Sequence, residues 1–181
     1  MPETIIDRLF EDNQELIRYL RDKGEVSLQS SADSNFRKTL LLSSASYFED
    51  RISQNLVTIF TDQTNSAGPI VEFLKNKAIA RQYHTYFDWE SKNANKFFSL
   101  FGAEFRSFMV AQVDADPDLQ SSIRDFLELG DLRNQLVHRN FATFPLDKTA
   151  EEIYELYRSA LKFVEEFPLK LREFLNGSQQ L

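Results

Sequence analysis

The 181-residue chain contains no cysteine, which excludes disulfide staples, thiolate metal sites and cysteine nucleophiles. That absence suits a reducing compartment, and a cytoplasmic protein is expected. Glycine and proline number only 5 each, which argues against a low-complexity chain, and no glycine-rich loop is placed to cradle phosphates. Histidine is scarcer, at 2; no His/Glu spacing fits a zinc site and nothing assembles a nucleophilic triad, so neither metal nor cofactor is expected. No run of about 18 apolar residues is present, so no membrane span is expected. Met1-Pro2-Glu3-Thr4 lacks the basic start and apolar run of a signal peptide. Positive charge is in deficit: 21 Lys and Arg against 28 Asp and Glu give a net charge of −7. Such a surface argues against a broad electrostatic footprint on nucleic acid, though not against a small local site.

What is present is core-forming material. Hydrophobic residues make up 42% of the chain, and 17 of them are Phe. A chain of this length fits one domain and buries about 70% of its unfolded surface. No internal repeat or composition shift divides it, so residues 1–181 are expected to form one all-α domain. The periodicity is helical nearly throughout. Thr4 to Asp22 carries Ile5, Ile6, Leu9, Leu16, Ile17 and Leu20 at helical spacing, with Gly24 placed to stop the helix. A second helix is expected from about Ala32 to Asp62, then a loop over residues 65–69 and a helix from Pro69 to about Ala80. Tyr83 to Trp89 reads as irregular. Helical spacing returns from Ser91 to Val113, with an interruption expected near Gly102. Asp116-Pro117 combines a capping aspartate with proline at the first helical position, and Thr149-Ala150-Glu151-Glu152 is a capping box. The last helix is expected to kink at Pro168 and stop at Asn176-Gly177. The sum is an up-and-down bundle of five to six helices.

One helix departs from simple amphipathicity. Wound at about 100° per residue from Gly130, residues Ile123, Phe126, Val137 and Phe141 fall within roughly 40° of it, with Leu127 just outside. This apolar stripe should meet another surface. Arg133 and Asn134 lie inside the same arc and His138 on its edge. An arginine in an apolar stripe is costly without a partner or a job, and Gly130 costs about 1 kcal/mol against alanine unless it permits close approach. The pattern reads as a polar site at a helix–helix seam. Cleavage of RNA without metal needs such a set: a base for the 2′-hydroxyl proton, an acid for the leaving 5′-oxygen and a cation for the phosphoryl charge. Histidine moves protons near neutral pH, and arginine makes a bidentate phosphate contact. Arg133 and His138 stand about 140° apart around the helix, so two copies meeting across a two-fold axis would pool them best. The plainer reading is a buried Arg–carboxylate pair beside a helix-end histidine.

Arg133-Asn134-x-x-x-His138 resembles the Arg-x4-6-His signature of the HEPN superfamily. The run Gly130 to Phe141, followed by Thr149-Ala150-Glu151-Glu152-Ile153-Tyr154, is similar to the RiboL-PSP-type HEPN branch. Ser46-Tyr47-Phe48-Glu49 resembles that family's second-helix pattern. The likeness covers about residues 30 to 175. It implies a helical homodimer with facing motif helices, and a metal-independent endoribonuclease of a toxin–antitoxin or defence system, held by an antitoxin or other regulatory partner. Carried over, Arg133 contacts the scissile phosphate, His138 transfers a proton and Asn134 orients one of them. Some HEPN toxins carry a modifiable tyrosine two residues after the histidine; here that position is Asn140, which puts this mode of control in doubt. An inactive dimerisation, adaptor or nucleotide-binding module is the alternative.

Other candidates are read more plainly. Glu49 is a possible supporting residue, near the motif helix and able to pair with Arg133. Asp114-x-Asp116-x-Asp118 resembles the start of a calcium loop, but Leu119 stands where glycine is needed, so helix capping explains it. His84 sits among Tyr83, Tyr86, Phe87 and Trp89; this cluster is read as core or seam rather than as a base-stacking platform.

Overall fold

The computed structural model describes residues 3–64, 68–139, 141 and 143–178, and among these the chain is helical with no strand. The elements are α1 (Ile5–Asp22), α2 (Val26–Gln63), α3 (Pro69–Leu74, running into a wider π turn over Lys75–Ile79), α4 (Tyr83–Tyr86), α5 (Asn95–Ser99), α6 (Ala103–Ala115), α7 (Pro117–His138) and α8 (Ala150–Ser178). Among the described residues eight α-helices stand where five to six were expected. The surplus is short: α4 and α5 have 4 and 5 residues, whereas α3 with its π turn fills the helix expected from Pro69 to about Ala80. One turn of helix, α4, forms inside the segment read as irregular, and α5 is separated from α6 at the interruption expected near Gly102.

Local chemistry sets most boundaries. Thr4 caps α1 in a reciprocal box with Asp7, its backbone N–H donating to Asp7 Oδ2 at 2.6 Å. Gly24 follows with φ +72°, a left-handed position that suits glycine. Gly102, at φ +99°, separates α5 from α6 where the interruption was expected. Asp116 Oδ1 accepts from the N–H groups of Asp118 and Leu119, both at 3.0 Å, and Pro117 opens α7. Thr149 and Glu152 close the second box, at 2.7 and 3.1 Å.

Two boundaries differ from expectation. α2 begins at Val26 rather than near Ala32, without a side-chain cap; nothing between Gly24 and Ala32 breaks a helix, so it propagates back to the glycine. α8 passes through Pro168, Asn176 and Gly177 to Ser178 instead of ending at Asn176-Gly177. A Cβ on Gly177 would meet nothing within 4 Å, so no packing forces the chain to turn there. Most of the expected 65–69 loop, residues 65–67, lies outside the described residues.

The core lies where α7 and α2 pack on α8, with α1 laid against α2. Phe126 of α7 is central: its ring centroid is 5.6 Å from Phe48, 4.9 Å from Phe87 and 5.1 Å from Phe163. Burying each such ring contributes about 2–3 kcal/mol, so this cluster fixes α7 against α2 and α8. Beyond α7, Lys38 donates to the Phe141 carbonyl at 2.6 Å and Arg37 to the Leu146 carbonyl at 3.2 Å. These bonds tie the connector after the motif helix to α2. No helix of the described residues is long and apolar enough to cross a membrane.

Candidate active site

The site begins where α7 outgrows its cover. Leu119, Ile123, Phe126, Leu127 and Gly130 are buried along one arc. Further along, Val137 is 52% exposed, and Phe141, beyond the helix end, is 43% exposed. Both were expected inside the apolar stripe; the bundle stops short of them. Between this uncovered end of α7, the middle of α2 and the segment around α4 lies a cavity of about 310 Å³. Glu49 lines it from α2, Tyr83, His84 and Trp89 from the α4 segment, and Arg133, Asn134 and His138 from α7. All four residues singled out in the sequence therefore border one cavity. Arg133 and His138 do so despite their separation around the helix.

Gly130 shapes this cavity. A Cβ built there would collide with Cε3 and Cζ3 of the Trp89 indole, so only glycine lets the indole lie against the α7 backbone. Trp89 Nε1 donates to the His84 carbonyl at 3.0 Å. Its ring stands 4.9 Å from Phe87, 5.6 Å from Tyr83 and 5.9 Å from Phe126, centroid to centroid. The close approach expected of Gly130 exists, but the neighbour is a tryptophan from a segment between helices, not a second helix.

Arg133 is half-buried, and its Nη1 donates to Asn134 Oδ1 at 3.1 Å. The ion pair considered between Arg133 and Glu49 is not formed. Ion pairs of the described residues lie elsewhere, among them Arg158–Asp7, Lys162–Asp116 and Lys148–Glu128. Glu49 is itself half-buried on the cavity wall, where water reaches both groups and neither needs the other to offset desolvation. Burial pushes the Tyr83 phenol well above its ordinary range; the Glu49 charge adds to this and the Arg133 charge opposes it. Tyr83 is therefore a neutral phenol at working pH, and it feels both charges of the cavity.

His84 and Trp89 were not singled out as site residues. Tyr83, Tyr86 and Phe87 are buried core, as the aromatic density suggested, whereas His84 is exposed and Trp89 half-buried at the cavity. The signal available was partial: a glycine inside an apolar arc implies close approach, without saying which neighbour approaches. Asp116 behaves as a cap and pairs with Lys162 at 2.8 Å. Its carboxyl is held below its usual value, first by that hydrogen bond and then by the backbone N–H of Leu119. Among the described residues no group of three or more His, Asp or Glu is placed to hold a metal ion.

The family model described as RiboL-PSP-HEPN matches residues 7–173. The chain belongs to the RiboL-PSP-HEPN family. No curated protein and no solved structure matches it. The HEPN match starts inside α1 and ends inside α8, so every element lining the cavity falls within it. It also reaches further toward the N-terminus than the likeness seen from about residue 30. HEPN domains are helical, as this one is; they often dimerise and bind RNA, and many are RNases. Asn140, where some HEPN toxins carry tyrosine, lies outside the described residues.

Proposed function

We propose that this HEPN protein is a metal-independent endoribonuclease that cuts RNA at the Arg133, Asn134 and His138 cavity. The observation that carries the reading is the state of Arg133. Its guanidinium is half-buried, steered by Asn134, and no described carboxylate neutralises it. A structural arginine would be paired; this one is left to meet an anion beside a histidine. Arg133 binds the scissile phosphate and stabilises the charge that develops on its oxygens. The 2′-oxygen loses its proton to a base and bonds to phosphorus. The P–O5′ bond then breaks, and the 5′-oxygen takes a proton from an acid, leaving a 2′,3′-cyclic phosphate and a 5′-hydroxyl. His138 serves one of these proton transfers, and Glu49 adjusts the charge of the cavity.

The protein acts as a homodimer with facing motif helices. Exposed Val137 and Phe141, beside the motif, supply apolar surface for that meeting. The setting is a cytoplasmic toxin–antitoxin or defence system in which a partner protein restrains cleavage.

The test is cleavage of a labelled RNA pool in EDTA, with light scattering confirming a dimer. Arg133→Ala and His138→Ala should melt within a few degrees of wild type and lose about 100-fold or more in kcat/KM. A wild type that leaves RNA intact, with Arg133→Ala poorly folded, would favour an adaptor or nucleotide-binding module instead.

A further inference from the structure

We infer that the cavity beside the motif is a pocket for one nucleobase, with Glu49 selecting guanine next to the scissile phosphate. The inference rests on the ribonuclease reading above and deepens it by naming the preferred substrate. Anchoring a phosphate calls for a cation such as Arg133. It makes no use of an aromatic wall, or of a carboxylate set near that cation, and both are present here.

The wall is held from several sides. The Trp89 indole is half-buried at a cavity of about 310 Å³, a volume within the range of small-ligand pockets. Its benzo edge lies on Gly130, where a Cβ would collide with it, and its N–H donates to the His84 carbonyl at 3.0 Å. Tyr83 and Phe87 stand 5.6 and 4.9 Å from it, centroid to centroid. An indole fixed in this way offers a base an apolar face that is already ordered, and stacking accepts any base.

Selection then falls to Glu49. It lines the same cavity from α2, half-buried, and among the described residues no hydrogen bond or ion pair takes up its carboxylate. The Tyr83 phenol, raised first by burial, is raised further by the Glu49 charge and eased by the Arg133 charge. Carboxylate and cation therefore both act on a side chain that packs against the indole.

A carboxylate accepts hydrogen bonds and gives none. Guanine alone among the four bases sets two donors side by side on one edge, N1–H and the N2 amino group, spaced to meet the two carboxylate oxygens. Adenine and cytosine offer one amino group beside an unprotonated ring nitrogen, whose lone pair the carboxylate repels. Uracil offers one N–H between two carbonyl oxygens, which repel it from both sides. Arg133 on the phosphate and Glu49 on the base then hold a guanosine nucleotide at two points. Each copy of a dimer carries its own pocket, so this selection is independent of how two chains divide the proton transfers.

Trp89 is the sole tryptophan, so its fluorescence reports a base stacked on it. Wild type, Glu49→Gln and Glu49→Ala are titrated with the 3′- and 5′-monophosphates of guanosine, inosine, adenosine, cytidine and uridine, and with inorganic phosphate. Cleavage of dinucleotides with guanosine on either side of the phosphate, or on neither, is measured alongside. A guanosine monophosphate should quench wild type at a Kd about 10-fold or more below those of the adenosine, cytidine and uridine forms. Inosine, which lacks only the N2 amino group, should also lose about 10-fold, the scale of one hydrogen bond to a charged group. In both Glu49 variants the binding advantage of guanosine should vanish, and the ratio of kcat/KM between guanosine and guanine-free dinucleotides should fall to about one. Losses in kcat that are equal on every dinucleotide, with guanosine binding intact, would make Glu49 a base in the reaction; its role as selector falls and the ribonuclease reading stands. Equal binding of all four nucleotides by wild type, or quenching by inorganic phosphate alone, also overturns the pocket. Guanosine-selective quenching that both variants lose, with no RNA cleaved by wild type, upholds the pocket and overturns the ribonuclease reading.

Discussion

A single missing methyl group sets the geometry of the cavity. Gly130 costs α7 about 1 kcal/mol relative to alanine, and the structure shows what that cost permits. The Trp89 indole occupies the space of the absent Cβ and carries the His84 backbone with it. Gly130→Ala should therefore cost about 1–3 kcal/mol through overpacking, despite the gain in helix propensity. Melting would fall by roughly 2–10 °C for a chain of this size. The sign depends on the neighbour. In a Trp89→Ala background the same glycine substitution should stabilise by up to about 1 kcal/mol, since only propensity remains. Equal effects in the two backgrounds would mean that the indole does not press on Gly130. The sequence made Gly130 conspicuous but could not name the partner, because Trp89 is 41 residues away and outside any long helix.

At the scale of elements, legibility followed local chemistry. Asp116-Pro117, the Thr149–Glu152 box and Gly102 act within a few residues, and all three boundaries stand where their chemistry put them. The start of α2 and the end of α8 depend on there being no local stop, which a pattern of residues conveys poorly. The site divided in the same way. Arg133, Asn134 and His138 lie on one helix and were visible together, whereas Glu49, His84 and Trp89 meet them only through the fold. The fastening of α1 to α8 was invisible for that reason too. Arg158 Nη1 donates to both oxygens of the buried Asp7 at 3.1 Å, and the Tyr154 hydroxyl donates to Oδ1 at 2.7 Å. Burial pushes the Asp7 carboxyl up, but the hydrogen bonds from Tyr154 and Thr4 and the Arg158 charge outweigh it, leaving it below its ordinary value. A carboxyl depressed in the folded state contributes stability that is complete above its unfolded pKa of about 3.9 and is lost as pH falls through the folded value. Asp7→Asn should cost about 2–3 kcal/mol at pH 7. The gap in melting temperature from wild type should close progressively below about pH 4. A gap that stays constant down to pH 2 would show that the Asp7 charge contributes nothing.

The whole molecule poses a problem that no single residue resolves: a chain of net charge −7 is proposed to act on a polyanionic substrate. A broad contact would meet repulsion along most of the RNA. The cavity concentrates its attraction in Arg133, and Glu49 also lines it. Exposed Arg139 follows at the helix end, its guanidinium 5.6 Å from the Phe144 ring centroid. On the proposed reading, recognition is confined to the nucleotides flanking the cut. Binding should weaken with salt in proportion to the phosphates neutralised, about 0.7 per phosphate for single strands on a log–log plot. Two or three phosphates predict a slope of about −1.4 to −2.1, measured with catalytically silent His138→Ala so that RNA stays intact. A slope equivalent to eight or more phosphates, about −5.6 or steeper, would require an extended basic track and overturn the narrow footprint. A shallow slope has a functional consequence. With little long-range attraction to hold RNA, a restraining partner need only cover the mouth between α7 and the α4 segment to silence the protein.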